Sequence, residues 1–132
     1  MRLLAALLFS LLCFAQEKSP RKLPATLDGK ELFRSYCASC HGMDGKGGGP
    51  VASVLKSPVP DLTTLTKRKG GKLPGADLEK LILGEAVPAA AHGSREMPVW
   101  GPVFRRVEND QDFGLVRVRR VVEYIQSLQK AK

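Results

Sequence analysis

The run Cys37-Ala38-Ser39-Cys40-His41 constrains this chain more than any other feature of its 132 residues. On a helix, residues three and four apart share a face, so Cys37, Cys40 and His41 project the same way. Two thiols at this spacing can each add to a vinyl group of one porphyrin, which leaves the His41 imidazole over the iron. C-x-x-C-H is accordingly the attachment signature of a c-type haem. Other uses of the cysteines compete with it. A Cys37–Cys40 disulfide needs only the pair. A zinc site needs a second pair of ligands, and no second C-x-x-C and no H-x-x-x-H is present. A thioredoxin-like redox pair belongs beside a βαβ pattern, which the flanking sequence lacks. Haem is the preferred reading.

The N-terminus points to the compartment in which such attachment occurs. Met1-Arg2 is a short basic start, and Leu3 to Phe14 is apolar apart from Ser10. Cys13-Phe14-Ala15 resembles an A-x-A cleavage site and polar Gln16-Glu17-Lys18 follow it. The apolar run falls short of the about 20 residues that span a bilayer. A signal peptide over residues 1–15, cut near Ala15, is expected ahead of a retained anchor, with the chain exported or periplasmic. Lipoprotein processing at Cys13 wants a small residue before it, where Leu12 stands. Removal of Cys13 leaves Cys37 and Cys40 as the only thiols, so haem attachment takes the place of a structural disulfide.

Beyond the leader, the length of the chain suits one domain. Residues 16–26 form a polar lead-in with Pro20 and Pro24 and are expected to be flexible; the folded domain is placed at 27–132. The 13 Gly and 9 Pro make it loop-rich, and a haem can serve as the centre of a small core. The net charge of +8 drops by one with Arg2 and further with two haem propionates. Basic proteins bind nucleic acid, anionic membranes or acidic proteins. Here the positive residues are interspersed with acids and lack an aromatic–basic stacking pattern. An acidic protein partner is expected; nucleic acid and a stable membrane span are not.

The periodicities are helical throughout. Asp28 with Glu31 three residues later reads as a capping box. Leu32, Phe33, Tyr36 and Cys37 then carry one helix to the haem motif, which Gly42 ends as a C′ glycine. The Gly42–Pro50 segment reads as a tight irregular loop, whose flexibility lets backbone pass close to the porphyrin edge. Val51 to Lys56 has room for one or two helical turns, Ser57-Pro58-Val59-Pro60 breaks them, and 61–72 reads as a basic loop. A short helix is predicted over Asp77 to Leu83, capped by Asp77 and ended by Gly84, with Leu78, Leu81 and Ile82 inward. Residues 87–102 read as loop. The last helix is placed at about 110–130, with Leu115, Val118, Val121, Val122, Ile125 and Leu128 inward and Arg117, Arg119 and Arg120 largely off that stripe. No period-2 strand and no repeat is present, so the class is all-α.

One imidazole leaves the sixth iron position to be filled. A Met ligand gives a raised potential suited to electron transfer. Met1 leaves with the leader and Met43 is too close to His41 to reach the opposite haem face. Met97, in the stiff Met97-Pro98-Val99-Trp100-Gly101 segment, is the preferred ligand, with a buried gap-filling role as its alternative. His92 is the competing ligand. Trp100 is expected to line the haem pocket, through its indole N–H to a propionate or by simple packing.

On these residues the mature chain resembles a class I monohaem cytochrome c over about 27–130. The resemblance implies that fold, with three to five helices and long loops wrapped around one covalent haem c. It implies that Gly29 and Phe33 cross Val121 and Tyr124 of the last helix. It further implies that Gly49-Pro50 supplies the carbonyl that accepts the His41 N–H. The glycine-rich segment and the 61–74 loop look like bacterial members. The expected function is a periplasmic carrier of single electrons, not an enzyme, serving respiratory redox proteins as a monomer or as a subunit of a complex. The alternatives are a haem enzyme or gas- or peroxide-binding protein with a labile sixth ligand, or a cytochrome subunit of a larger respiratory complex. A catalytic haem wants distal acid–base residues, for which only His92 is available. Lys67-Arg68-Lys69 and Lys72, extended by Arg95, form the candidate docking collar, a merely solvated loop being the alternative.

Overall fold

Asp28 starts the first helix as the sequence predicts, with one change of partner. Its carboxylate accepts from the backbone N–H groups of Lys30 at 2.7 Å and Glu31 at 3.1 Å, satisfying donors that a helix start leaves open. The other half of the expected capping box is absent: the Asp28 N–H donates to Thr26 Oγ1 at 3.0 Å. The structure, a computed structural model, describes residues 26–85, 97–106 and 111–129. The expected signal peptide, the lead-in to residue 25, His92 and Arg95 lie outside the described residues.

Among the described residues six α-helices occur in order: α1 (Gly29–Tyr36), α2 (Ala38–His41), α3 (Leu65–Arg68), α4 (Gly75–Leu83), α5 (Gly101–Arg106) and α6 (Gln111–Ser127). Single 3₁₀ turns lie at Ala52–Val54 and Leu62–Thr64. No strand occurs among the described residues, and the fold is all-α. The count exceeds the three to five expected, because α2 and α3 are single turns. One separates from α1 at Cys37. The other lies within what reads as a basic loop, directly after the Leu62–Thr64 3₁₀ turn, which Asp61 caps by accepting from the Thr63 N–H at 2.8 Å and the Thr63 hydroxyl at 2.6 Å.

The frame is the crossing of α1 over α6. A Cβ on Gly29 would run into the Arg120 carbonyl oxygen and stand 3.2 Å from Tyr124 Cβ, so only glycine permits this approach. Phe33 and Val121 are wholly buried at the crossing, and the Phe33 and Tyr124 rings meet at 5.2 Å and 55°, the tilted geometry aromatic pairs favour. The four positions expected to cross do so. Because the obstacle to a side chain at Gly29 is backbone, the Gly29→Ala protein is expected to lose about 3 kcal/mol of stability. The loss would be read as a lower denaturant midpoint at unchanged m-value.

The inward face of α6 is rotated from the one predicted. Val118, Val121, Val122 and Ile125 are buried as expected, but Leu115 is 40 % exposed and Arg117 is 0 % exposed. Both residues stand at the margins of the apolar stripe, and the margin covered is the one against which α5 packs. A helix missed in the 87–102 loop reading and its continuation therefore decides which margin is buried. On α4 the helix begins two residues before the predicted start, with Pro74 at the N-cap and Asp77 in the first turn, where a carboxylate suits the helix dipole. Ile82 and Leu83 are buried while Leu81 is exposed. Gly84 ends the helix as predicted, at φ 82°, and the Gly84 and Glu85 N–H groups close back on the Leu81 and Lys80 carbonyls in the manner of a helix C-terminus.

Candidate haem-attachment site

The motif helix α2 has only four residues, too few to satisfy its own carbonyl groups. Cys37 joins it to α1: its N–H donates to the Phe33 carbonyl at 2.8 Å, while its own carbonyl accepts from Cys40 and His41. The remaining carbonyls are taken by the glycine-rich loop. Ala38 O accepts from Gly42 N at 2.9 Å, Ser39 O from Val51 N at 3.0 Å, Cys40 O from Gly49 N at 3.0 Å and His41 O from Gly47 N at 2.8 Å. Every carbonyl of the helix thus has a partner in residues 42–51. Gly42 turns at φ 76°, and a Cβ on Gly49 would press into the α2 backbone, 2.6 Å from the Ala38 oxygen and against the Ser39 oxygen. The glycines serve close approach of backbone to the motif helix, a use that the composition alone does not distinguish from approach to the porphyrin.

Both motif thiols are free and half-buried, so the disulfide alternative is not realised. Burial, with a smaller contribution from Cys40, pushes the Cys37 thiol up to about 12, and it remains S–H at neutral pH. No three His, Cys, Asp or Glu side chains converge on a common point among the described residues. The pair and His41 are therefore not arranged as zinc ligands. Desolvation lowers the His41 pKa, opposed by the Pro60 carbonyl, so the imidazole stays neutral with a lone pair available. Its Nδ1 is buried with no partner in hydrogen-bond geometry. The carbonyl that bears on the ring is that of Pro60 and not that of Pro50, which stands exposed. The Gly49-Pro50 pair expected to orient the histidine instead packs Gly49 on α2 and carries the chain away.

The Met97 segment approaches from the far side of the sequence. Trp100 N–H donates to the Ile82 carbonyl at 3.0 Å, a Cβ on Gly84 would strike Val99, and one on Gly101 would stand 2.6 Å from the Leu83 oxygen. The segment is thereby seated on the C-terminal end of α4. Met97 and Trp100 are partly buried and pack on the same apolar cluster as Cys37. The Trp100 ring meets Tyr36 at 5.4 Å and 67° and stacks on Phe104 at 6.2 Å. Tyr36 immediately precedes the first motif cysteine, so Trp100 and the attachment helix share one aromatic cluster. Two free thiols one helical turn apart and a neutral imidazole with an orphaned buried nitrogen fit covalent attachment of a haem.

An all-α domain built around such a helix defines a c-type haem protein. The chain belongs to the cytochrome c family, whose family model matches residues 27–129. No curated protein and no solved structure matches it. Membership makes the chain a haem-binding electron-transfer protein with covalently bound haem c. Among the described residues no helix is long and apolar enough to cross a membrane.

Proposed function

We propose that this protein is an exported carrier of single electrons, periplasmic in its compartment, whose haem is anchored by Cys37 and Cys40 and whose iron is held by His41 and Met97. The observation that supports this reading is that Met97 and Cys37, from separate segments, both pack against one apolar core cluster. When bound, the haem supplies an iron that alternates between ferrous and ferric states. The Cys37 and Cys40 thiols would hold it, each by adding its S–H across one vinyl group to give a thioether with no leaving group. His41 offers its neutral nitrogen, and the Pro60 carbonyl near the ring would, with a small adjustment, accept from the other ring N–H and so fix the ring orientation. Met97 contributes a soft sulfur that favours the ferrous state. Trp100, Tyr36 and Phe104 form an aromatic group within the apolar cluster on which Cys37 and Met97 pack. A visible spectrum of the oxidised protein tests the reading: a weak band at the red edge is expected, and its absence would remove Met97 from the iron.

The partner in this reading is an acidic surface on a respiratory redox protein, met at Lys67, Arg68, Lys69 and Lys72. These side chains are exposed on and after α3, and the Arg68 guanidinium is tethered to the Asp61 carbonyl at 2.6 Å. Charge of this kind accelerates encounter more than it strengthens a complex. Reversal of Lys67, Arg68 and Lys69 to glutamate is expected to slow electron transfer about tenfold or more at low salt. The difference should close as ionic strength rises and screening shortens. Stopped-flow rates that coincide for both proteins over the whole salt series would eliminate this docking patch.

A further inference from the structure

Arg117 is the largest wholly buried side chain among the described residues. Burying a guanidinium is costly unless other groups hold it, so its position on the inward face of α6 calls for a use. Its Nη1 donates to the Phe104 carbonyl at 3.3 Å. Phe104 lies in the last turn of α5, where carbonyls lack partners within the helix and a cation suits the dipole. One turn earlier on α6, a Cβ on Gly114 would stand 2.7 Å from Arg105 Cγ. Helix α5 therefore lies close on α6, between a glycine and a guanidinium.

The same guanidinium is near enough to Tyr36 for its charge to act on the phenol. Tyr36 meets the Phe104 ring at 4.9 Å and 86° and the Trp100 ring at 5.4 Å. The buried cation thus bears on Tyr36 and Phe104, two members of a three-ring cluster completed by Trp100. Tyr36 precedes Cys37, and Trp100 lies three residues beyond Met97. Six residues cannot sustain a helix by themselves, so the docking of α5 on α6 joins the α4 contacts in holding the Met97–Trp100 segment.

We propose that Arg117 is a positioning residue for the sixth-ligand segment: by holding the Phe104 carbonyl it fixes α5 on α6, and through Trp100 it keeps Met97 beside the attachment helix. The inference rests on Met97 being the ligand. Arg117 acts through Phe104 and Trp100 without touching the iron ligands. Loss of the clamp raises the fraction of molecules whose sixth position is open, and an added ligand that binds only those molecules gains apparent affinity in proportion.

Imidazole titration of the ferric holoprotein reads this fraction. Arg117→Met is expected to bind imidazole about tenfold more tightly than the wild type, with a weaker red-edge band and unchanged covalent haem content. Arg117→Lys keeps a charge but presents one ammonium in place of the planar fork, and is expected to bind roughly threefold more tightly. Should the Met variant fail to accumulate as holoprotein, the Lys variant carries the comparison. Imidazole affinity within about twofold of wild type in the variants that accumulate would overturn the proposal, even with a lower denaturant midpoint, because a purely structural arginine moves only the latter. A wild-type protein without the red-edge band fails the Met97 reading instead, before any variant is made.

Discussion

A protein with both Cys37→Ser and Cys40→Ser is expected to carry no haem through denaturation and to lose most of its helical structure. Hydroxyls do not add to the vinyl groups as thiols do, so neither thioether forms, and haem-stained denaturing gels should show an empty band. Each single variant should retain one thioether. The structural consequence arises from the size of the core. Among the described residues its buried apolar members are few: two residues of α4, one of α5, four of α6, Leu62, Ala38 and three of α1. Met43, Val51 and Val54, on or beside the loop that closes α2, stand 58 %, 39 % and 79 % exposed. Small domains with a core of this size commonly depend on a covalent or ligand-supplied staple, and among the described residues no disulfide provides one. Far-UV circular dichroism of the double variant should show a largely unfolded or molten chain. Near-holoprotein helicity with cooperative melting would show that the polypeptide core suffices.

The second large effect is expected at Met97. In Met97→Ala the sulfur that favours ferrous iron is gone, and the potential should fall by on the order of 0.1–0.3 V, within the range that axial ligands span. The red-edge band should vanish and small ligands should bind the open position. The methionine is only partly buried and its neighbours are held by Gly84, Gly101 and the Ile82 carbonyl, so the backbone should keep its course and the effect should stay electronic. An unchanged spectrum and potential in this variant, with both altered in His92→Ala, would transfer the sixth position to His92.

Much of the frame was legible because it is local or glycine-marked. The motif helix, the Asp28 cap, the ends at Gly42 and Gly84, and the α1–α6 crossing at Gly29 all depend on residues whose chemistry permits few alternatives. The misreadings share a cause in tertiary packing. Helix α5 opens with Gly101-Pro102, which as composition signals a loop. Its helical course depends on Leu83 beneath Gly101 and on Arg117 holding Phe104. Once α5 is missed, Arg117 reads as a solvent-facing charge and Leu115 as core, since the two lie at opposite margins of one stripe. Pro50 and Pro60 are likewise indistinguishable as sequence, both being loop prolines after the motif. What separates them is the return of the chain over α2, where the Leu62 N–H donates to the Gly45 carbonyl at 2.7 Å and Val59 crowds Gly47.

The dependence of α2 on residues 42, 47, 49 and 51 for its carbonyl partners fixes an order of events during chain growth. Synthesis runs from the N-terminus, so Cys37, Cys40 and His41 emerge before any of the backbone that completes their helix. Until residue 51 has emerged, both thiols sit on a segment that cannot close its own hydrogen bonds. That interval leaves them open to whatever delivers the porphyrin. Lengthening the stretch between Gly42 and Val51 would extend the interval and weaken the closure that ends it. Insertion beside Gly70, where an added Cβ meets nothing within 4 Å, would leave the timing of capture untouched.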